Sequence, residues 1–345
     1  MKKIWIFLIK IAIAFLIISY LFYKHQSSVT ANLQNFRAVW LVPALLLLYA
    51  EMTICAIRWY YLLKLTDINL SLRETVSLTM RGYFCSLILP GGAIGGDVAK
   101  IGIISHAMPK GERFEPNLSI LIDRIVGMIA LFGIAMVLII ADLKNLLQID
   151  LSAIGISARY NKYLIAVVFL GCLAGIALAT VLFFAHTFEK IPFCKTVLDK
   201  ADRISGGMIN RMKLALAIYR KHWKSLILMI AGSVFFVHLL QMPILASLCV
   251  GLGIKISSFL TLSTAIILGN IAGLIPLTPG GLGLRDVTIL AILNAGNFSD
   301  ATSIPLLMSL VLIIGNLSAG LAFFDKGLQR STVCKTDTHN LQGTL

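Results

Sequence analysis

Two short stretches, Pro90-Gly91-Gly92-Ala93-Ile94-Gly95-Gly96-Asp97 and Pro279-Gly280-Gly281-Leu282-Gly283-Leu284-Arg285-Asp286, share the pattern P-G-G-x-x-x-x-D, and each lies between hydrophobic runs. Proline lacks a backbone N–H and glycine adopts conformations closed to other residues, so each stretch can end one helix and begin another. The N–H groups freed at the restart would point into a cavity. The pattern predicts two broken membrane helices, and two ordinary turns at the membrane surface are the alternative.

The composition indicates a membrane protein. Of the 345 residues, 58% are hydrophobic and 13% are charged, and the mean hydropathy is +0.89. A soluble globular domain has roughly half apolar residues and about a quarter charged ones. The sequence therefore predicts an all-α polytopic integral membrane protein.

The net charge of +14 does not indicate a nucleic-acid partner, because no long polar segment concentrates the Lys and Arg residues. The positive-inside rule accounts for it instead. The six cysteines form no CxxC pair and have no histidine at metal-ligand spacing, so we expect no metal site and no cofactor. The expected partners are membrane lipids with an anionic or zwitterionic phospholipid headgroup or another lipid-linked headgroup.

Six stretches are long and apolar enough to cross the hydrocarbon layer, and they cover residues 4–23, 38–57, 118–141, 163–185, 225–250 and 304–324. A cleaved signal peptide is the alternative for the first, since Val29-Thr30-Ala31 resembles a cleavage site. The stretches around the two P-G-G motifs, residues 70–106 and 257–293, are interrupted and predict re-entrant helical hairpins. We therefore expect about six full spans and two hairpins.

The orientation follows from one basic segment. Residues 189–224 contain nine Lys and Arg residues against three acidic ones, which places this segment in the cytoplasm. Counting spans in both directions puts both termini in the cytoplasm and makes the two hairpins enter from opposite sides, as in an inverted repeat. The predicted organisation is a transmembrane domain over residues 1–325 and a polar cytoplasmic tail over 326–345, in the plasma membrane (the inner membrane of a two-membrane cell).

Several polar residues inside apolar runs are candidate site residues, because ionisable groups are costly in a membrane. Asp123 and Arg124 are adjacent and project about 100° apart on a helix, so at least one needs a partner on another helix. Glu51 and Arg58 share one helix face, and Arg58 is interpreted mainly as an interfacial anchor beside an aromatic belt. The secondary candidates are Glu51, Arg58, Arg81, Asn270 and Asn316.

No catalytic signature accompanies these residues. The first glycine stretch has the spacing of a phosphate-binding P-loop but places Asp97 where the lysine must stand, so a P-loop is excluded. Helix N-termini in the glycine stretches can attract a phosphate or a carboxylate, and Arg124, Arg285 or Arg81 would offset the charges of Asp97 and Asp286. A lone His238 is interpreted as a packing residue, with a proton relay as the alternative.

The order of these motifs resembles a known family. Four sets of residues carry this resemblance: Arg58-Trp59 with Leu62-Leu63, Leu89-Pro90-Gly91-Gly92 with Gly95-Gly96-Asp97, Asp123-Arg124 with Gly127, and Thr278-Pro279-Gly280-Gly281-Leu282-Gly283. With them the chain resembles the flippase-like transmembrane family of the lysylphosphatidylglycerol synthases. The resemblance covers nearly the whole chain.

The resemblance implies movement of a phospholipid or lipid-linked headgroup between leaflets, with Asp97, Arg124 and the acid after the second P-G-G among the functional residues. The family usually has Glu where this chain has Asp286. No soluble aminoacyl-transferring domain follows Phe324, so we expect the synthase activity to be absent. The sequence leaves open whether the protein forms homo-oligomers and whether a separate lipid-modifying enzyme works with it.

We therefore expect a lipid flippase rather than an enzyme. Its cavity would be built from the two stretches and their neighbours, namely Pro90, Gly91, Gly92, Gly95, Gly96, Asp97, Asp123, Arg124, Pro279, Gly280, Gly281, Gly283, Arg285 and Asp286. Backbone N–H groups and Arg124 would face the phosphate, and Asp97 and Asp286 any cationic part. The alternatives are a headgroup-modifying membrane enzyme with Asp97 or Asp123 as general base, and an ion-coupled carrier of a small solute.

Overall fold

The computed structural model describes residues 34–66, 68, 70–89, 92–107, 113–149, 158–183, 216–275, 283–298 and 301–325. Helices account for the regular structure in these ranges, and no strand occurs in them. The all-α polytopic fold predicted from the composition is confirmed.

The long helices are α1 (Leu41–Lys64), α2 (Leu72–Ile88), α3 (Ala93–Ala107), α4 (Phe114–Ala141), α5 (Asn161–Phe183), α6 (Trp223–Ser233), α7 (Gln241–Gly251), α8 (Phe259–Gly273), α9 (Leu284–Ala295) and α10 (Ser303–Ala319). A π-helical segment, Val234–His238, joins α6 to α7, and a 3₁₀ turn, Gly320–Phe324, extends α10.

Five helices in the described residues are long and apolar enough to cross a membrane: Ala38–Lys64, Phe114–Ala141, Asn161–Val181, Trp223–Gly251 and Ser303–Phe324. They correspond to five of the six predicted spans. The remaining predicted span, residues 4–23, lies outside the described residues, as do most of the basic segment 189–224 and the tail 326–345.

The two interrupted stretches form two pairs of contacting helices, α2 with α3 and α8 with α9. Helix α8 has 15 residues and α9 has 12, so they are about 22 and 18 Å long, too short to cross about 30 Å of hydrocarbon. Ser71 begins α2 with a capping box, since its hydroxyl accepts from the N–H of Glu74 at 3.3 Å while the Glu74 carboxylate accepts from the N–H of Ser71 at 2.8 Å.

The two helix pairs open at opposite ends of the bundle. Near the start of α4, Asn117 donates to Ser105 in the last turn of α3 at 3.0 Å. Just beyond the end of α4, Asn145 donates to Thr261 in the first turn of α8 at 3.2 Å. Helix α4 has 28 residues and is about 42 Å long, so these contacts are a membrane thickness apart. The contacts agree with the inverted arrangement, while the depth of each hairpin in a bilayer stays a prediction.

The main apolar core joins α1, α4 and α7 to the second hairpin and α10. Its fully buried residues include Leu48, Ile244, Leu262, Ile289 and Val311. Helix α5 is different, because most of its residues are exposed in the isolated chain. A helix that is apolar all round and packs on few neighbours fits a lipid-facing position.

Candidate functional site

The helices after the two motifs begin at different motif positions. Gly92 has φ +56° and α3 begins at the next residue, whereas Gly283 has φ +93° and α9 begins after it. Asp97 is consequently the fifth residue of its helix and Asp286 the third of its own. Because successive residues turn by about 100°, the two acids project about 200° apart relative to their helix starts.

Asp286 serves as a buried cap for α9. Its carboxylate accepts from the N–H of Gly283 at 3.0 Å, from Arg285 Nη2 at 3.0 Å and from the Ser309 hydroxyl at 2.9 Å. Its side chain is fully buried and does not line the cavity described below. The expectation that Asp286 and Arg285 face the same cavity as Asp97 is wrong in this structure, because the third helical position turns the acid back onto its own helix start.

A cavity of about 210 Å³ lies at the tip of the first hairpin. It is bounded by α1, α2, α3, α4 and the π-helical segment, and Leu274 closes it from the end of α8. Its acidic and basic lining residues are Glu51, Arg58, Asp97, Lys100, Asp123, Arg124 and His238, and Cys55 and Tyr83 also line it. The cavity therefore combines three cations and three acids inside an otherwise apolar bundle.

Arg58 and Asp123 form a buried ion pair between α1 and α4. The Arg58 Nε to Asp123 Oδ1 distance is 2.7 Å and the Nη2 to Oδ2 distance is 3.1 Å, so the pair is bidentate. Arg58 also donates to Ser233 at 2.9 Å. The interpretation of Arg58 as an interfacial anchor is wrong, since its side chain is only 10% exposed. Gly127 allows this approach, because a Cβ there would lie 3.3 Å from the guanidinium.

Arg124 pairs with Asp97 across the boundary between α4 and α3. Its Nη2 lies 2.6 Å and its Nε 2.8 Å from Asp97 Oδ2, and it also donates to the Ala93 carbonyl at 3.3 Å. The prediction that at least one of Asp123 and Arg124 needs a partner on another helix is confirmed, because both have one. Asp97 and Arg124 connect the tip of the first hairpin to a full span.

Lys100 lines the cavity although it was not among the site residues predicted from the sequence. It is buried, and its ammonium lies 4.8 Å from the ring centre of Trp59 and 3.6 Å from Asp97 Oδ1. No hydrogen bond from this ammonium is found within the described residues, while Asp97 is bonded to Arg124. The i,i+3 spacing from Asp97 was the available signal, because it places both side chains on one face of α3.

Glu51 lies in the wall of the same cavity and begins a chain of polar contacts. Gln241 on α7 donates to Glu51 Oε1 at 2.7 Å, and Asn270 on α8 donates to the Gln241 carbonyl oxygen at 2.5 Å. The candidates Glu51 and Asn270 are thus joined through Gln241. His238 Nε2 meets the carbonyl of Gly127 at 3.0 Å, and the residue lines the cavity; the choice between a packing residue and a proton relay stays a prediction.

Two secondary candidates lie away from the cavity. Arg81 donates to the carbonyls of Ala322 and Asp325 at 3.0 and 2.5 Å, so it fixes the end of α10 and does not offset Asp97. Asn316 lies on α10, and its buried Oδ1 has no hydrogen-bond partner within the described residues. Neither residue lines the cavity.

The glycines of the first motif pack α3 against α2. A Cβ on Gly96 would lie 2.4 Å from the carbonyl oxygen of Gly82, and Gly95 is also buried. Helices α2 and α3 can approach this closely only because position 96 lacks a side chain. Pro90, Gly91, Pro279, Gly280 and Gly281 lie outside the described residues, so their predicted roles stay predictions.

Most of the charged side chains in the cavity wall are held in ion pairs. In the described part of the chain, no group of three or more His, Cys, Asp or Glu residues has the arrangement of a metal site. Asp97 and Asp123 each accept hydrogen bonds from a guanidinium group. The cavity therefore offers fixed charges of both signs.

Comparisons with known proteins agree on a membrane protein. The sequence model of a protein family described as "Lysylphosphatidylglycerol synthase TM region" matches residues 7–320. A similar curated protein is the UPF0104 membrane protein PH1989 of Pyrococcus horikoshii, which is 24% identical over 277 residues, covering 77% of this chain and 79% of that protein. No solved structure matches this chain.

Proposed function

Because this chain belongs to the lysylphosphatidylglycerol synthase transmembrane-region family, we propose that it carries a phospholipid or lipid-linked headgroup between the leaflets of the plasma membrane. The observation that carries the proposal is the cavity at the tip of the first hairpin, which holds charges of both signs among membrane helices. Moving a charged headgroup through hydrocarbon without such groups is prohibitively costly.

The cavity is sized for a headgroup. At about 210 Å³ it falls below the usual range of about 300–1,000 Å³ for sites that enclose a whole drug-sized ligand. A lipid would therefore place only its headgroup there and leave its acyl chains in the bilayer. This division keeps the apolar chains in an apolar solvent throughout transfer.

Lys100 and Arg124 are the groups suited to the phosphate. Lys100 donates no hydrogen bond to the described residues, and its ammonium lies 3.6 Å from Asp97 Oδ1. The three N–H groups of this ammonium can therefore donate to a phosphate. The Arg124 side chain is 38% exposed, so part of its donor set is accessible beside its ion pair. A phosphate can accept from both without leaving Asp97 isolated.

The arrangement of the two hairpins supports alternating access. They open at opposite ends of the bundle, and the end of α8 reaches the cavity through Leu274. Small movements of either hairpin would change which side of the membrane the cavity faces. We propose a transporter rather than an enzyme, because both acids considered as general bases are held in ion pairs.

Reconstitution tests the proposal. Proteoliposomes containing fluorescent phosphatidylglycerol or phosphatidylethanolamine are treated with an impermeant quencher, and protein-dependent loss of inner-leaflet signal is measured. We expect transport by the native protein and a reduction of roughly tenfold or more in Lys100→Gln, equal to about 1.4 kcal/mol in the barrier. Lys64→Gln, which removes an exposed lysine at the end of α1, is the matched control and should transport normally. Absence of protein-dependent transfer for every lipid tested would refute the proposal.

A further inference from the structure

Glu51 is a buried acid whose second oxygen has no hydrogen-bond donor. The residue is 8% exposed, and Oε1 accepts from Gln241 at 2.7 Å. Oε2 is buried without a partner within the described residues. One amide donor does not replace the hydration that a carboxylate loses in a membrane helix bundle.

The cations of the cavity form ion pairs with Asp97 and Asp123 and not with Glu51. Arg58 is bidentate to Asp123, Arg124 is bonded to Asp97, and Lys100 lies between Asp97 and the ring of Trp59. Arg58 also stands seven residues from Glu51, about 10 Å along α1. The charges of the Asp97 and Asp123 cluster therefore do not neutralise Glu51 by direct contact.

The remaining titratable groups around Glu51 are ordinarily neutral near pH 7. They are Cys55 on the next turn of α1, Tyr83 on α2 and His238 on the π-helical segment, and all three line the cavity. His238 contacts the Gly127 carbonyl through Nε2, and its Nδ1 has no partner within the described residues. The described parts of α7, α8 and α10 contribute no ionisable residue to the cavity lining.

A proton is the ligand that this environment suits. A sodium ion needs several oxygen ligands, and the groups close to Glu51 are an amide N–H, a thiol and a phenol. A proton needs only the free oxygen, and it removes the charge that burial makes costly. We propose that Glu51 is the proton-binding residue of a proton-coupled transport cycle.

The contacts of Glu51 provide a route from proton binding to hairpin movement. Gln241 bonds Glu51 on one side and accepts from Asn270 on the other. Asn270 lies in the last turn of α8, immediately before the second break. When Glu51 gives up its proton, the carboxylate demands further donors and favours a different arrangement of the Gln241 and Asn270 amides. A change on α1 is thereby transmitted to the second hairpin.

Each cycle conserves protons. A proton from water on one side of the membrane bonds to Glu51 Oε2, and the same O–H bond breaks when the cavity faces the other side. The proton gradient can then drive the transfer of the lipid between leaflets. This coupling rests on the proposed lipid transport, whereas protonation of Glu51 itself does not.

Two measurements test the protonation of Glu51 and its coupling to lipid transport separately. Infrared difference spectroscopy of the purified full-length protein in nanodiscs of phosphatidylethanolamine and phosphatidylglycerol follows protonated carboxyl groups during a pH titration. We expect a titrating carboxyl band in the native protein that disappears in Glu51→Gln. Glu74→Gln is the matched control, because Glu74 is also buried with one unpartnered oxygen but lies in the capping box of α2, outside the cavity. It should keep the Glu51 band.

The second measurement imposes a pH gradient on proteoliposomes and follows the steady-state leaflet ratio of the fluorescent lipid. With one proton per lipid, one pH unit should shift this ratio about tenfold in the native protein. Glu51→Gln should abolish the shift, and Glu74→Gln should retain it. A gradient response that persists in Glu51→Gln, or a band unaffected by that substitution, overturns the assignment. Lipid transport that ignores the gradient overturns the coupling alone, and a Glu51 band without any transport refutes the flippase while leaving the proton site.

Discussion

Arg124 on α4 and Asp97 on α3 are joined by an ion pair with a shortest N–O distance of 2.6 Å, which fixes the tip of the first hairpin to a full membrane span. Lys100 stands one turn further along α3, at 3.6 Å from the same carboxylate. One acid therefore holds two cations beside the cavity, and its charge determines how strongly both are available to a phosphate.

The first prediction concerns Asp97. Asp97→Asn keeps the size of the side chain and removes its charge, so Lys100 and Arg124 should hold a phosphate more tightly and release it more slowly. We expect slower lipid transfer in the quenching assay, with normal insertion, since apolar length and the Lys and Arg bias are unchanged. Normal transfer by a well-expressed variant would contradict this role for Asp97.

The second prediction concerns the Arg58 and Asp123 pair. Arg58→Met or Asp123→Leu alone leaves an uncompensated buried charge and should lower the free energy of unfolding by about 3–5 kcal/mol. The double variant removes both charges and should recover much of this loss. Thermal unfolding of the detergent-purified proteins measures the cycle. Strictly additive losses would show that the two side chains do not interact.

The third prediction separates Asp286 from Asp97. Asp286→Asn leaves Arg285 buried beside an uncharged partner, so it should destabilise the fold by several kcal/mol, on the order of 3–5. Asp325→Asn is the control, because its partner Arg73 is 81% exposed and such pairs contribute about 0–1 kcal/mol. The transport defects of Asp97→Asn and Asp286→Asn should multiply independently. A shared, non-additive defect would place both acids in one site.

The fourth prediction tests the close packing of the first hairpin. In Gly96→Ala the new methyl group would meet the Gly82 carbonyl at 2.4 Å, so α2 and α3 must separate. We expect a loss of stability of about 1–3 kcal/mol and impaired transport. Gly102→Ala on the same helix is the matched control, because nothing lies within 4 Å of its added Cβ. It should be neutral or slightly stabilising.

The fifth prediction concerns topology. In a cysteine-free background, a cysteine at Ser71 should react with an impermeant thiol reagent only from the cytoplasmic side, and one at Ser258 only from the outside, because the two hairpins open at opposite ends. Cys194 and Cys334, which lie outside the described residues, are expected to be cytoplasmic. Labelling of Ser71→Cys and Ser258→Cys from the same side would refute the inverted arrangement.

The sequence predicted the spans well, because the physics that selects them is local. A helix crosses a membrane when enough consecutive residues are apolar, and that property can be read from residues 118–141 or 304–324 without any partner. The same holds for the two interruptions, since proline and glycine limit or extend backbone conformations wherever they stand. Helix geometry alone also predicted that at least one of the adjacent residues Asp123 and Arg124 needs a partner on another helix.

The cavity could not be predicted in the same way. The two motifs match letter for letter at the P-G-G and at the acid, yet α3 begins two motif positions earlier than α9. That offset directs Asp97 to Arg124 and Asp286 to its own helix cap. The sequence around Arg58 predicted an interfacial anchor. The burial of Arg58 could not be predicted, because it depends on the ion pair with Asp123, which is 65 residues away.

The sequence by itself determined a helical membrane protein with two broken segments, because hydrophobic length, charge bias and the properties of proline and glycine act within each segment. Only the tertiary structure decided which charges share the cavity. Lys100 and Glu51 line this cavity from different helices, and Gln241 on α7 bonds to Glu51; these placements depend on the rotation of each helix about its axis. A shift of one residue in a helix start turns every following side chain by about 100°, so pairings across helices are set only when all the helices pack together.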